Sequence, residues 1–156
     1  MFRRHGLRFA SEIWSISDYT ARQLAASCRI SRENVVVVPL ALVPDRVKDL
    51  TLRGGASEVA RGEVLTVSRL WRGEDKGIDH LIEAMKLVTP PARLVIVGDG
   101  DDRDRLERLA RDSGVSARVS FMGSTGDRNL AALYGRCQLF ALPSLQEGFG
   151  LVFLEA

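Results

Sequence analysis

A chain of 156 residues has room for one domain, or for one domain and part of a second; with 46% hydrophobic and 27% charged residues it reads as a soluble globular protein. A net charge of +2 gives no case for nucleic-acid binding by bulk electrostatics, and no apolar run approaches the roughly 20 residues that span a bilayer. Cys28 and Cys137 stand far apart, and His5 and His80 have no partner at ligand spacing. The pattern suits a reducing compartment and gives no metal site.

The basic N-terminus, residues 1–9, lacks the uninterrupted apolar core of a signal peptide, so the protein is expected to be cytoplasmic. Contact of this arginine-rich start with the inner face of a membrane stays open, although a solvated flank of a longer chain is the simpler reading. Residues 13–16 form a weak strand candidate. Residues 18–26 follow Ser17, a good N-cap, and carry Tyr19, Leu24 and Ala25 as the apolar positions of a helix. A strand is expected at 35–38. The stretch 43–63, with Pro44, Gly54, Gly55 and mixed charge, reads as an irregular connection. Strands follow at 64–67, 94–97, 119–122 and 139–142. Between them lie helices at 78–87, with Ile78, Leu81, Ile82 and Met85 on one face, at 102–110, with acidic residues at its start and Leu106, Leu109 and Ala110 as its stripe, and at 129–134.

Most of these apolar runs are continuous rather than alternating, as in strands buried on both faces of a parallel sheet. Strands alternating with helices imply a Rossmann-like, doubly wound parallel α/β sheet. Residues 151–156 read as the first turns of an apolar helix on which the sequence stops. The chain is therefore expected to be truncated, with the strand at 139–142 and the helix after it exposing apolar surface beside an unpaired sheet edge. Self-association is the expected consequence when it is expressed alone.

In open α/β sheets, ligands bind beyond the carboxyl ends of the strands, which directs attention to four loops. Arg69 and Lys76 share the first, with Lys76 at the opening of a helix, an arrangement that fits a diphosphate clamp; taken alone, they read more simply as solvated charges. Gly98-Asp99-Gly100 forms the second. Arg103 stands where a G-x-G-x-x-G motif needs glycine, so the pair reads as a tight turn that lets a ligand approach the backbone. The third, Phe121-Met122-Gly123, is as readable as a strand end with a turn glycine as it is a ligand contact. In the fourth, Glu147-Gly148-Phe149-Gly150 enters the helical run ending in Glu155-Ala156, presenting free backbone N–H groups and two carboxylates able to face one ligand. An acid favouring the helix dipole, with an exposed Glu155, is the equal alternative.

At this point the residues resemble a family. The run from Glu147 to Ala156 matches the E-x7-E signature of retaining GT-B glycosyltransferases of the family 4 type. Ser68-Arg69-Leu70 is similar to that family's G-R-L, Asp75-Lys76-Gly77 to its D-K-G, and Val97 to Gly100 and Val119 to Gly123 follow in the family's order. Trp14 to Thr20 resembles the segment that closes its N-terminal domain. The resemblance covers about residues 12–156. It implies that residues 1–42 are the tail of an N-terminal acceptor domain with the inter-domain connection, and that 43–156 are an incomplete C-terminal nucleotide-sugar-binding domain.

The resemblance also implies roles. Arg69 and Lys76 would hold the diphosphate and steady the leaving nucleoside diphosphate, and Glu147 would contact donor-sugar hydroxyls near the reacting carbon. Glu155 would accept from the ribose hydroxyls. Backbone N–H groups of Gly148, Phe149, Gly150, Leu151 and Val152 would serve sugar and phosphates, the backbone near Met122 would border the base, and Gly98 would let the ligand approach. Transfer would proceed with retention and without a metal; no cofactor is implied beyond the nucleotide-diphosphate sugar, which is the donor substrate. Two departures are small: Ser68 replaces a glycine, and Pro39-Leu40-Ala41 stands for Pro-Asn-Gly. The larger one is the missing partner, an N-terminal acceptor domain, without which this chain is not expected to turn over. A non-catalytic nucleotide-binding or interaction module, and another GT-B enzyme such as a sugar-nucleotide epimerase or a phosphorylase, are the alternatives.

Overall fold

The computed structural model describes residues 6–42, 44, 47–48, 60–145, 147 and 149–156. They divide into two compact units, one within residues 1–41 and 148–151, the other within 42–147 and 152–156.

In the first unit, β1 (Ile13–Ser15) and β2 (Val35–Val37) pair in parallel, with Ile13 beside Val35. Helix α1 (Asp18–Cys28) joins them. It starts where Ser17 Oγ accepts the Thr20 N–H at 3.1 Å and ends at Arg29, whose left-handed backbone (φ 53°) turns its N–H onto the Ala25 carbonyl. Ala21 packs on Ile13 and Val35, with Leu24 against the same cluster. Tyr19, expected on this face, is exposed. The buried stripe is Ala21, Leu24 and Cys28, and Tyr19 precedes Ala21 by about 200° of helical turn.

The second unit carries a four-stranded, all-parallel sheet in the order β5-β4-β3-β6. Its elements are β3 (Ala60–Val67), α2 (Ile78–Ala84), β4 (Arg93–Val97), α3 (Arg103–Asp112), β5 (Val119–Gly123), α4 (Asp127–Arg136), β6 (Cys137–Phe140) and, from Val152 on, α5 (Leu151–Glu155). Alternate residues of β4 serve opposite cores. Leu94 and Ile96 pack with Ile78, Ile82, Leu106 and Ala110 from α2 and α3, whereas Val95 and Val97 pack with Leu130, Leu133 and Tyr134 from α4. Helices cover both faces, which is why β4 is apolar at every position from Leu94 to Val97.

Several boundaries differ from the sequence reading. Strand β3 begins at Ala60, inside the stretch read as irregular; Pro44, Val47 and Lys48 are helical, and Gly54 and Gly55 lie outside the described residues. Helix α2 stops at Ala84. Lys86 and Leu87 make only three-residue turns, donating to Glu83 and Ala84, because Val88-Thr89-Pro90-Pro91 follows and disfavours helix. Strand β6 lies two residues earlier than expected, since Leu142 is buried beyond the strand, in the α2–α3 core. Among the described strands β6 pairs with β3 alone. Leu139 on it and Phe153 and Leu154 on α5 are exposed, so the apolar surface expected here is present.

Asp102, expected as a dipole-favouring first residue of a helix, does more. It is buried just before α3, and Arg105 donates Nε to Oδ1 at 2.7 Å and Nη2 to Oδ2 at 2.6 Å. These hydrogen bonds hold its carboxyl below the ordinary value of 3.8, against the opposing effect of burial. A carboxyl depressed on folding contributes stability above its unfolded pKa and loses it as pH falls through the folded one. Asp102→Asn is therefore expected to cost about 1–2 kcal/mol in urea unfolding at neutral pH. The gap to the parent chain should close as pH falls below 3.8; a gap constant with pH would show that lost packing, not charge, sets the cost.

Candidate functional site

The site is built from loops that leave the carboxyl ends of the sheet. After β3 the chain runs across the end of β4, tied by Ser68 N–H to the Val97 carbonyl (3.0 Å), Leu70 N–H to the Asp99 carbonyl (3.0 Å) and Asp102 N–H to the Leu70 carbonyl (2.8 Å). Gly98 and Gly100 lie directly under this crossing. A Cβ on Gly98 would stand 2.8 Å from the Ser68 carbonyl carbon and closer still to its oxygen, and one on Gly100 would strike the Leu70 carbonyl. What approaches the two glycines is thus the Ser68–Leu70 backbone, where the sequence reading expected a ligand. Gly98 N–H also donates to the Gly123 carbonyl at 2.9 Å, tying β4 to β5 at the same edge.

The loop after β6 lies on the loop before α2. Leu145 N–H donates to the Asp75 carbonyl at 3.0 Å, and Gly77 (φ 67°) sits where a side chain would collide with the Pro143 carbonyl. This brings Lys76 to Glu147, Nζ to Oε1 at 3.0 Å, with side chains 16% and 27% exposed. Two residues 71 positions apart thereby form one ion pair at the start of α2.

A cleft of about 340 Å³ opens at the ends of β3 and β4, lined by Val67, Arg69, Gly98, Asp99, Thr125 and Val152 among others. Arg69 also borders a smaller cavity of about 50 Å³ shared with Glu74, Lys76 and Asp102. It pairs with Glu74 Oε1 at 3.0 Å and lies over the Trp71 ring, 4.7 Å from its centroid. Glu74 Oε2 is buried with no hydrogen-bond partner among the described residues.

Of the residues singled out in the sequence, Arg69, Gly98 and Val152 meet at the cleft, and Lys76 and Glu147 pair with each other. Met122 is exposed at the end of β5, where the neighbouring Phe121 carbonyl accepts from Arg103 at 3.4 Å. Glu147 and Glu155, expected to face one ligand together, take separate partners: Glu155 Oε2 accepts from the Tyr134 hydroxyl at 3.1 Å. Phe149, Gly150 and Leu151 group with the first unit, and Gly148 lies outside the described residues. The sequence reading missed Trp71, Glu74 and Tyr134. Only Tyr134 left a signal: a tyrosine in the apolar stripe of a helix needs a partner for its hydroxyl. Among the described residues no helix is long and apolar enough to cross a membrane, and no group of three or more His, Cys, Asp or Glu is placed to hold a metal ion.

The family model described as Glycosyl transferases group 1 matches residues 55–156. An uncharacterized glycosyltransferase of Methanocaldococcus jannaschii is 42% identical over 95 residues, 60% of this chain and 24% of that protein. The alpha-D-kanosaminyltransferase of Streptomyces kanamyceticus is 28% identical over 97% of this chain and 41% of its own. Among solved structures, Anabaena HepE in complex with UDP and glucose is similar with a TM-score of 0.73 at 25% identity, covering 96% of this chain and 42% of that one. Sucrose-phosphate synthase from Thermosynechococcus elongatus gives 0.74 at 27%, covering 97% and 39%. The chain thus spans between 24% and 42% of the length of these relatives. A family match over most of the sequence and a shared parallel α/β architecture agree: this chain belongs to the Glycosyl transferases group 1 family and has the GT-B type fold of its glycosyltransferases.

Proposed function

We propose that the second unit is the donor-binding part of a glycosyltransferase that takes its sugar from a nucleoside-diphosphate sugar and transfers it with retention. The observation that carries this reading is the cleft at the carboxyl ends of β3 and β4 with Arg69 on its wall, Arg69 also lining a second cavity with Lys76, the partner of Glu147. That HepE is found with UDP and with UDP-glucose supports the same ligand class.

The chemistry follows from charge. As the sugar–phosphate bond breaks, negative charge builds on the leaving diphosphate, and fixed cations at that point favour the transition state over the ground state. Arg69 and Lys76 supply those cations, a role a metal ion fills elsewhere. Glu147, steadied by Lys76, accepts from donor-sugar hydroxyls near the reacting carbon, and Glu155 accepts from the ribose hydroxyls. Backbone N–H groups between Gly148 and Val152 serve sugar and phosphate, Gly98 keeps the wall close to the ligand, and the backbone at Met122 borders the base. On this reading residues 1–42 end an acceptor domain, and 43–156 belong to the donor domain of a cytoplasmic enzyme.

Calorimetric titration of the purified chain with UDP, GDP and ADP tests it. Saturable binding of one of the three is expected, weakened about tenfold or more by Glu155→Ala, since hydrogen bonds to a charged acceptor contribute about 1.5–3 kcal/mol. A chain that melts cooperatively yet binds none of the three would overturn the donor-site reading.

A further inference from the structure

We propose that Trp71 is a positioning residue that holds the Arg69 guanidinium at the cleft wall, in the orientation in which it meets the diphosphate of the donor. The inference rests on the clamp role given to Arg69 under Proposed function and adds a residue that acts through Arg69.

Arg69 lines the cleft, so whatever orients its guanidinium shapes that wall. The group ends a long flexible stem, and the side chain is 61% exposed, which leaves little packing to fix it. Two contacts do so. The guanidinium carbon lies over the Trp71 ring, 4.7 Å from its centroid, and Nη2 meets Glu74 Oε1 at 3.0 Å. An exposed ion pair by itself contributes little. The rigid ring adds attraction from a second side and restricts where the planar group can stand.

The ring is itself anchored, although half-exposed. Leu70 N–H donates to the Asp99 carbonyl at 3.0 Å and Arg72 N–H to Asp101 Oδ1 at 2.9 Å, so the backbone on both sides of Trp71 is tied to the loop between β4 and α3. Glu74 N–H donates to the Trp71 carbonyl at 3.2 Å, with Gly73 (φ 79°) as the left-handed residue between them. Trp71 and Glu74 are therefore the two ends of one turn, and both reach Arg69. The indole edge lies against Gly100, where an added Cβ would stand 2.5 Å from Cδ1.

This support is compatible with a bound diphosphate. A ring attracts the guanidinium through its face, whereas phosphate oxygens take the N–H groups at its edge. Glu74 engages Nη2, and a guanidinium has further donors for phosphate. A side chain already ordered loses less freedom when the ligand arrives, which is the advantage of preorganisation.

The test compares Trp71→Leu, which keeps apolar bulk without a ring face, with Trp71→Phe, which keeps a face. UDP, GDP and ADP are titrated calorimetrically into each. For the diphosphate that the parent chain binds, Trp71→Leu is expected to bind about fivefold more weakly, within the range for ordering one long side chain. Trp71→Phe should stay within about twofold of the parent. In an Arg69→Ala background, Trp71→Leu should change affinity by less than about twofold, because the two residues act as one unit. Unchanged or tighter binding by Trp71→Leu, or weakening that persists without Arg69, would overturn the positioning role. If Arg69→Ala itself binds like the parent, the clamp under Proposed function fails, and this inference with it. Weakening by Arg69→Ala but not by Trp71→Leu leaves the clamp standing and removes this inference alone. A readout that needs neither ligand nor a Trp71 variant is tryptophan emission in a Trp14→Phe background, since the sequence has two tryptophans. Arg69→Ala is expected to shift the Trp71 emission maximum; an unshifted spectrum would overturn the contact.

Discussion

Replacing Lys76 by alanine is expected to weaken nucleoside-diphosphate binding by several hundredfold, beyond the roughly tenfold to hundredfold that one lost phosphate contact of about 1.5–3 kcal/mol gives at an open site. The excess comes from Glu147. In the parent chain the two side chains form a pair with no net charge, their polar ends 3.0 Å apart and mostly covered. Without the lysine, a half-buried carboxylate remains beside the diphosphate and repels it, so the variant loses an attraction and gains a repulsion. Two companion variants separate these terms by calorimetric titration. Lys76→Arg keeps the charge and should bind within about tenfold of the parent, because the guanidinium differs in shape and reach. Lys76→Ala combined with Glu147→Gln removes the repulsion and should recover part of the loss, the signature of two coupled residues. In a longer chain carrying an acceptor domain, Lys76→Ala should lower the transfer rate about a hundredfold to a thousandfold, the range found when one preorganised donor is taken from a developing negative charge. Diphosphate binding by Lys76→Ala within twofold of the parent would remove the clamp assignment, and the ion pair would then be a structural tie between two loops.

How far the site was legible in the sequence depended on the distance over which each residue acts. Strand β4 was readable because Leu94 to Val97 serve two cores by alternation, so the run is apolar at every position. The N-cap of α1 was readable because Ser17 and Thr20 are neighbours. Lys76 and Glu147 could each be selected by position after a strand, but their mutual contact depends on the β6 loop lying over the α2 loop, which no local pattern records. Tyr134 and Glu155 show the same limit across 21 positions: apolar periodicity places the ring in the core and says nothing of where the hydroxyl points. Tyr19 failed for a different reason. Its size gave it weight in a stripe whose true phase is set by the small residue Ala21 packing against β1 and β2.

Gly98 was legible as a special position, although the structure gives it a different reason, and that reason makes Gly98→Ala the substitution with the largest expected effect on stability. Two costs add there. The residue has φ 131°, outside the range L side chains readily occupy, and its added Cβ would overlap the Ser68 carbonyl. Gly114 isolates the first cost, since it has φ 69° and nothing within 4 Å of an added Cβ. Gly114→Ala is therefore expected to cost about 1–2 kcal/mol, the strain of a left-handed alanine. Gly98→Ala should cost about 4 kcal/mol or more, in the range reached only by named structural insults. That is most of the stability of a small domain, so the variant should melt far below the parent or fail to accumulate as folded protein. The overlap cannot be relieved by a rotamer change, because the atom in the way is backbone and is held by the Ser68 and Leu70 hydrogen bonds to the end of β4. Relief requires lifting the whole crossing, and Arg69 lies in the middle of it. Any folded fraction of Gly98→Ala should consequently also bind nucleoside diphosphate more weakly, whereas Gly114→Ala, whose glycine lies outside the cleft lining, should bind like the parent once its lower stability is allowed for. A Gly98→Ala chain within about 1 kcal/mol of the parent in urea unfolding would mean that the Ser68–Leu70 crossing does not rest on β4. The close packing that sets Arg69 on the cleft wall would then have to be sought elsewhere.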